Sequence, residues 1–127
     1  MLVPQELCCA LANDNAGRHR VAGHAHTRED ESYFVLSGEL EVIVGDKTFV
    51  LKPGDSLVAP RDIPHQLRNS GDVENHYLLI FWPSGFEGFL EATGVPAPEN
   101  AVAPTEPPAA AIRNVHELAA EYGILFG

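Results

Sequence analysis

Two histidines and a glutamate near the start of the chain have the types and spacing of metal ligands. His24 and His26 flank one residue, and Glu31 follows across the polar stretch 27–30. Residues two apart in a β-strand project to the same face, so both imidazoles can reach one ion. Two imidazoles with one carboxylate are the facial set favoured by divalent iron and similar metals. We expect a hairpin to fold the strand headed by Glu31 beside the first, which brings the carboxylate to the same ion.

His65 is the fourth candidate ligand. It follows the segment 60–64, whose two prolines hold the chain extended and limit how the ring arrives. Four protein ligands leave one or two positions open on a five- or six-coordinate metal, as a reactive site requires. Taken alone, the histidine pair would more often be two solvent-facing residues at the end of a strand. Glu29 is a rival to Glu31, but we expect it to lie nearer the apex of the turn.

Short strands must position these residues. From Val21 to Phe81, short apolar stretches with period-two character alternate with Gly, Pro, Asp and Asn, which is typical of antiparallel strands. Residues 45–46 predict a hairpin turn, and residues 52–55 a type II turn with Gly54 at its positive-φ position. The predicted strands cover residues 33–36, 40–44, 48–51, 56–59, 66–68 and 76–82.

Two helices are predicted after the strands. Ser84 and Glu87 have capping-box spacing for a first helix that ends near Gly94, with an apolar face of Phe86, Phe89 and Leu90. Asn114 and Glu117 repeat that spacing for a second helix that ends before Gly123. Its apolar face would contain Val115, Leu118, Ala119 and Tyr122.

The chain is expected to form a single domain with a connector and a tail. Residues 1–94 would form a β-barrel with a short helix at its end, and residues 114–127 a helix and tail packing on it. Residues 95–113, rich in proline and alanine, predict an extended connector between them.

Charge and composition exclude several classes of partner. The chain has 127 residues and a formal net charge of −10, which disfavours nucleic acids and anionic membrane surfaces. The sequence contains no run of about twenty apolar residues, so no transmembrane helix is expected. Cys8 and Cys9 are adjacent, which is poor geometry for a structural disulfide, so they are interpreted as reduced thiols in a cytoplasmic protein.

The sequence resembles the cupins. The first cupin motif is matched by His24, His26, Glu31 and Gly38, and fifteen residues separate it from the second, which is matched by Gly54, Pro60, His65 and Asn69. Two positions depart from the family pattern. Gly17 lies one residue further from the first histidine than is usual, and Asp62 stands where the family has glycine. The resemblance implies an all-β fold, a cupin barrel (double-stranded β-helix or jelly roll) with one or two short C-terminal helices.

The resemblance also implies a function. The chain is similar to small single-domain quercetin dioxygenase-like cupins, through residues 31–40 and 81–90. This implies one divalent metal (Fe, Mn, Ni, Cu or Zn), a small phenolic or enolic substrate, and Glu31 as both ligand and proton acceptor. A metal-dependent isomerase or lyase, or a non-catalytic small-molecule-binding cupin, stays open as an alternative.

Two further expectations concern the pocket and the assembly. Tyr33 shares a strand face with Glu31 and could line the pocket together with Phe81, Phe86 and Phe89. Ordinary core packing explains Tyr33 about as well, and a seal between helix and sheet is the favoured explanation of the phenylalanines. By resemblance, the protein is expected to form a homodimer through its sheets.

Overall fold

Antiparallel strands make up most of the chain up to Trp82 in the computed structural model, which describes residues 8–14, 20–101 and 108–127. Two helices follow, α1 (Phe86–Thr93) and α2 (Ala109–Ala119), and α2 continues into a 3-10 turn over Ala120–Tyr122. The strands are β1 (Cys8–Asp14), β2 (Arg20–His26), β3 (Asp30–Ser37), β4 (Leu40–Val44), β5 (Lys47–Leu51), β6 (Ser56–Ala59), β7 (His65–Arg68), β8 (Asn75–Trp82) and β9 (Ile124–Phe126).

The strands form two antiparallel sheets that pack face to face. One sheet has the order β1-β8-β3-β6 and the other the order β5-β4-β7-β2-β9. Burial alternates along β3, where Glu31, Tyr33 and Val35 point inward while Phe34 and Leu36 point outward. The core between the sheets contains Tyr33, Val35, Leu40, Val42, Leu51, Ala59, Leu67 and Tyr77. The predicted all-β jelly-roll fold is confirmed.

The expected hairpin between β2 and β3 is wrong. β2 pairs with β7 and β9, whereas β3 pairs with β6 and β8, so the two strands lie in opposite sheets. Residues 27–29 carry the chain across from one sheet to the other. Glu31 therefore faces the histidines across the interior and does not lie beside them, and it approaches the same centre from the opposing sheet.

The turns follow the predicted chemistry. β4 and β5 form the expected hairpin, and the Asp55 N–H donates to the Lys52 carbonyl at 2.9 Å while Gly54 has a φ of 89°. Gly38 also has a positive φ, 73°, and a Cβ there would lie 2.8 Å from the Asn75 Cα. This position needs glycine for both reasons.

Both helices differ from the prediction at their first residues. Gly85 occupies the N-cap of α1 with no side-chain cap, so the predicted cap at Ser84 is wrong. α2 begins at Ala109, inside the predicted connector, and not at Asn114. Proline is favoured at a helix start and alanine has the highest helix propensity, so Pro108 and the three alanines after it extend the helix.

The helices bury the expected faces with one exception. Phe86 and Phe89 are buried, but Leu90 is exposed. A second apolar cluster joins the helices to the end of the sandwich, and it contains Phe81, Phe86, Phe89, Ala119 and Ile124, with Val115, Leu118 and Tyr122 packed against it.

The sequence did not indicate β1 or β9. β1 adds to β8, and β9 pairs with β2 opposite the two histidines. Gly17, residues 102–107 of the connector and the side chains of Cys8 and Cys9 lie outside the described part of the chain. Within that part, no helix is long and apolar enough to cross a membrane.

Candidate metal centre

The four predicted ligands converge inside the sandwich. One donor atom from each of His24, His26, Glu31 and His65 lies within 4.8 Å of the other three. The histidines come from β2 and β7 of the five-stranded sheet, and Glu31 comes from β3 of the four-stranded sheet. In the register of β2 and β7, His24 stands directly opposite His65. The fold thus brings together donors from residues that lie up to 41 positions apart in the sequence.

Each imidazole has its Nδ1 engaged with an acceptor away from the centre. His24 Nδ1 lies 2.7 Å from the Ala22 carbonyl oxygen, and His65 Nδ1 lies 3.2 Å from the Ile63 carbonyl oxygen. His26 Nδ1 lies 3.0 Å from Glu29 Oε1. Donation from Nδ1 fixes the tautomer and leaves the lone pair of Nε2 free for a metal.

The atoms that face the centre are within ion-pair distance of one another but are not aligned for hydrogen bonds. Glu31 Oε2 lies 2.8 Å from His65 Nε2 and 3.2 Å from His26 Nε2. All three atoms are buried and have no hydrogen-bond partner among the described residues. Buried polar atoms are normally hydrogen-bonded, so close atoms that converge on one point without aligned hydrogen bonds fit the coordination of a cation.

Burial and mutual contact change the pKa values of the site in the metal-free protein. Burial lowers the pKa of His24 to about 4. Burial also opposes the charged form of His26, but its hydrogen bond to Glu29 and its contact with Glu31 raise its pKa to about 9. Burial would raise the pKa of Glu31, but contact with His26 and His65 lowers it to about 2. The carboxylate is therefore ionised and available to a cation.

Glu29 has a place that the sequence did not predict. It is not one of the four converging donors, yet it is buried and accepts the hydrogen bond from His26. The expectation that Glu29 would lie near the apex of a turn missed this role. A carboxylate three residues after a histidine was the available signal, but the spacing does not tell which face of the crossing segment it occupies.

His65 is more enclosed than its loop context suggested. It is the first residue of β7 and is 3% exposed. The preceding loop is attached to β2 by the Asp62 N–H, which donates to the His26 carbonyl at 2.7 Å. Asp62 has a φ of 67°, a left-handed conformation that aspartate tolerates better than most residues. The usual preference for glycine at this position follows from that backbone geometry.

The predicted pocket residues lie on two sides of the cluster. Tyr33 is fully buried, and its ring centre is 6.4 Å from that of His65. Its hydroxyl has no hydrogen-bond partner among the described residues, and burial together with the Glu31 charge raises its pKa well above 10. The phenylalanines lie behind His26, whose ring centre is 5.6 Å from Phe81 and 4.7 Å from Phe86. Phe89 packs against Phe86, one ring further away.

The remaining histidines and the loop charges lie outside the four-residue cluster. His76 is half-exposed on β8 and its Nε2 lies 3.7 Å from a Glu74 carboxylate oxygen. His116 packs on Phe126, whose ring centre is 6.0 Å from that of His24. Arg61 pairs with Asp30 at 3.3 Å. His19 lies outside the described residues.

Known proteins resemble this chain in sequence and in fold. A 64-residue stretch covering 50% of the chain is 34% identical to polyketide synthase CurC of Streptomyces cyaneus and covers 42% of that protein. A 93-residue stretch covering 71% of the chain is 29% identical to quercetin 2,3-dioxygenase of Bacillus subtilis and covers 26% of that protein. The structure of KdgF from Halomonas sp. superposes with a TM-score of 0.61 at 24% identity, over 67% of this chain and 76% of that one.

The family match covers more than half of the chain. The matched stretches span less than half the length of either curated relative. Residues 11–81, which contain the four converging ligands and most strands of both sheets, match the cupin domain family. The chain therefore belongs to the cupin domain family.

Proposed function

We propose that the protein is a metal-dependent oxygenase that acts on a small phenolic or enolic metabolite. The observation that carries this proposal is the convergence of three imidazole nitrogens and one carboxylate oxygen within 4.8 Å. When bound, a divalent metal supplies Lewis acidity and, for Fe, Mn, Ni or Cu, the redox capacity that dioxygen chemistry needs. His24, His26, Glu31 and His65 would hold it and leave a position open to substrate.

Glu31 would interact directly with the substrate hydroxyl. Its carboxylate is buried and ionised, and the pKa of about 2 keeps it so throughout the physiological range. An ionised carboxylate in a dry site accepts a strong hydrogen bond. Because its low pKa makes Glu31 a weak base, it would take the proton from a hydroxyl that a bound metal makes more acidic. Glu31 would thus act as both ligand and proton acceptor.

Tyr33 would donate a hydrogen bond to the bound molecule. Its hydroxyl is buried and unpartnered among the described residues, and its high pKa keeps the proton on the oxygen at neutral pH. A neutral donor held in an apolar site can orient a substrate oxygen without adding charge. Phe81 and Phe86 support His26 from behind, where their rings exclude water.

The relatives support the choice of substrate class. Quercetin is a flavonol with several phenolic hydroxyls, and polyketide chains carry the enolisable carbonyls that cyclise to phenols. Both classes offer a hydroxyl beside a carbonyl or second hydroxyl, which suits chelation at an open metal position.

Metal content and oxygen consumption test the function. Protein purified without added metal is analysed for its elements, and oxygen uptake is then followed with quercetin, catechol and acetylacetone as probes. We expect a redox metal near one equivalent and uptake of one O₂ per substrate with at least one probe, with both oxygen atoms appearing in the product. Native zinc and no uptake would contradict the oxygenase and favour an isomerase or lyase.

Replacing Tyr33 by phenylalanine tests the proposed donor. The substitution removes one buried hydroxyl that has no described partner, so folding and metal content should stay near those of the parent. The rate with the active probe should fall by about 10–100-fold, as for loss of one oriented donor. Tyr77→Phe, on a buried tyrosine of the same core, is the control. An unchanged rate in Tyr33→Phe would show that Tyr33 is core packing alone.

A further inference from the structure

We propose that Glu29, which lies outside the four-ligand cluster, is a positioning residue that supplies a second negative charge to the site through His26. The inference rests on the metal-binding part of the proposed function and not on the identity of the reaction. It assigns a role to a buried acidic side chain that does not take part in the steps described above.

The three imidazoles differ in the acceptor that each Nδ1 contacts. His24 and His65 each contact a backbone carbonyl through Nδ1, and both carbonyls lie two residues earlier in the chain. His26 instead donates to the Glu29 carboxylate at 3.0 Å. The two side chains are 1% and 4% exposed, so little water screens their interaction. Of the three imidazoles, His26 alone contacts a carboxylate through Nδ1.

A buried carboxylate needs a compensating charge. Removing an ionised carboxyl group from water is costly unless it is paired and hydrogen-bonded. Glu29 and Glu31 approach His26 from its two ring nitrogens, at 3.0 Å from Nδ1 and 3.2 Å from Nε2. With a dication in place, two carboxylates would bring the net charge of the ion and its surroundings to zero. Glu29 therefore makes the site suited to a dication.

The charge on Glu29 should also affect the electronic properties of the ion. A carboxylate that accepts from Nδ1 makes the imidazole a stronger donor at Nε2, and loss of such outer partners typically weakens metal binding by about 10–100-fold. Because the added negative charge favours a more highly charged ion, it should also lower the reduction potential of a redox metal.

Glu29→Gln separates the charge from the hydrogen bond. The amide keeps an oxygen acceptor at the same distance but carries no charge. Affinity for Mn²⁺ and Zn²⁺ is measured by chelator competition at fixed pH, and we expect Glu29→Gln to bind both about 10–100-fold more weakly than the parent. Glu99→Gln removes the same charge from an exposed connector position and should leave the affinity unchanged.

The midpoint potential of the iron-loaded protein provides a readout that a purely structural role would not change. It should rise in Glu29→Gln and stay near the parent value in Glu29→Asp, which retains the charge, even if Asp binds iron more weakly. Affinity of Glu29→Gln within twofold of the parent, or weaker binding with an unchanged potential, would overturn the inference. Failure of the parent protein to bind any of these metals would instead overturn the proposed function.

Discussion

His65 provides the most direct test of the cluster at the scale of single residues. Its Nε2 is 2.8 Å from Glu31 Oε2, and its ring centre lies 4.5 Å from that of His24 in an edge-on arrangement. His65→Ala removes one of four donors. Since loss of an outer partner alone costs about 10–100-fold in affinity, loss of a ligand should cost at least about 100-fold.

Metal content by elemental analysis and folding by circular dichroism check this expectation. His76→Ala, on a half-exposed histidine outside the cluster, is the matched control and should retain the metal. A parent-like metal content in His65→Ala would exclude His65 from the ligand set.

The pKa values of the metal-free site set the pH dependence of metal binding. His26, with a pKa raised to about 9, carries a proton at pH 7 that must leave before Nε2 can bind an ion. His24, with a pKa lowered to about 4, is already neutral there. Metal affinity should therefore rise by about tenfold per pH unit between pH 6 and 8.

Chelator competition at pH 6, 7 and 8 measures this slope. Below about pH 6 the metal should be increasingly lost, and below pH 4 protonation of His24 should steepen the loss. A slope of zero over the whole range would mean that no imidazole proton is displaced, which contradicts a histidine-based site.

At the scale of elements, the C-terminal segment stabilises the ligand strand. Gly123 has a φ of 73°, and its carbonyl oxygen accepts from the Thr27 N–H at 2.9 Å and from the Thr27 hydroxyl at 2.8 Å. Arg28 donates to the Glu121 carbonyl at 2.9 Å. β9 then pairs with β2 opposite His24 and His26. These contacts fix the end of β2 where both ligands are located.

Gly123→Ala should loosen this attachment. A Cβ would lie 2.6 Å from the Thr27 hydroxyl oxygen, on a backbone that already disfavours a side chain. We expect a loss of about 1–2 kcal/mol in the free energy of unfolding, measured by denaturant titration. Gly127→Ala in the same segment, where a Cβ would meet nothing within 4 Å, should be neutral. Equal effects of the two substitutions would contradict this explanation.

Local patterns predicted the elements of the sandwich core, but not how distant elements meet. The alternation in β3, the Gly54 turn and the hairpin after Val44 depend on neighbours in sequence, so they were predictable. The placement of β2 and β3 in opposite sheets depends on which strands pair, and a residue spacing does not encode that. β9 has three residues, which are too few to show the alternating apolar pattern of a strand.

The ligands were predictable for a different reason. The spacing of His24, His26, Glu31 and His65 is a family pattern, so the resemblance supplied what single-residue reasoning left open. Glu29 has no place in that pattern. Its burial follows from the path of the segment between the sheets, which became visible only in the folded chain.

At the scale of the whole molecule, the two sheets have different outer faces. The outer face of the four-stranded sheet exposes a third or more of Phe34, Leu36, Val58 and Trp82. The outer face of the other sheet exposes Val50 and Leu125 beside the Arg68–Glu41 ion pair at 2.9 Å. We propose that the protein forms a homodimer through the outer face of the four-stranded sheet, because two copies of net charge −10 approach most easily where apolar side chains predominate and the Asp30 charge is paired with Arg61.

Val58→Lys should disrupt the homodimer. In a symmetric pair the new ammonium groups would lie inside the interface, where desolvation of a charge is unfavourable. Val50→Lys is the matched control, since Val50 is similarly exposed but lies on β5 in the other sheet. Light scattering should give a dimer for the parent and Val50→Lys and a monomer for Val58→Lys. A monomeric parent protein in light scattering would contradict the proposed homodimer.

The ligands of the cluster come unequally from the two sheets. His24, His26 and His65 belong to one sheet, and Glu31 belongs to the other. A cation held by all four would cross-link the two sheets of the sandwich. Glu31 would be its one ligand from the four-stranded sheet. Loss of Glu31 from the ligand set would remove that cross-link and leave three histidines to hold the cation from one sheet, while the buried core still joins the two sheets.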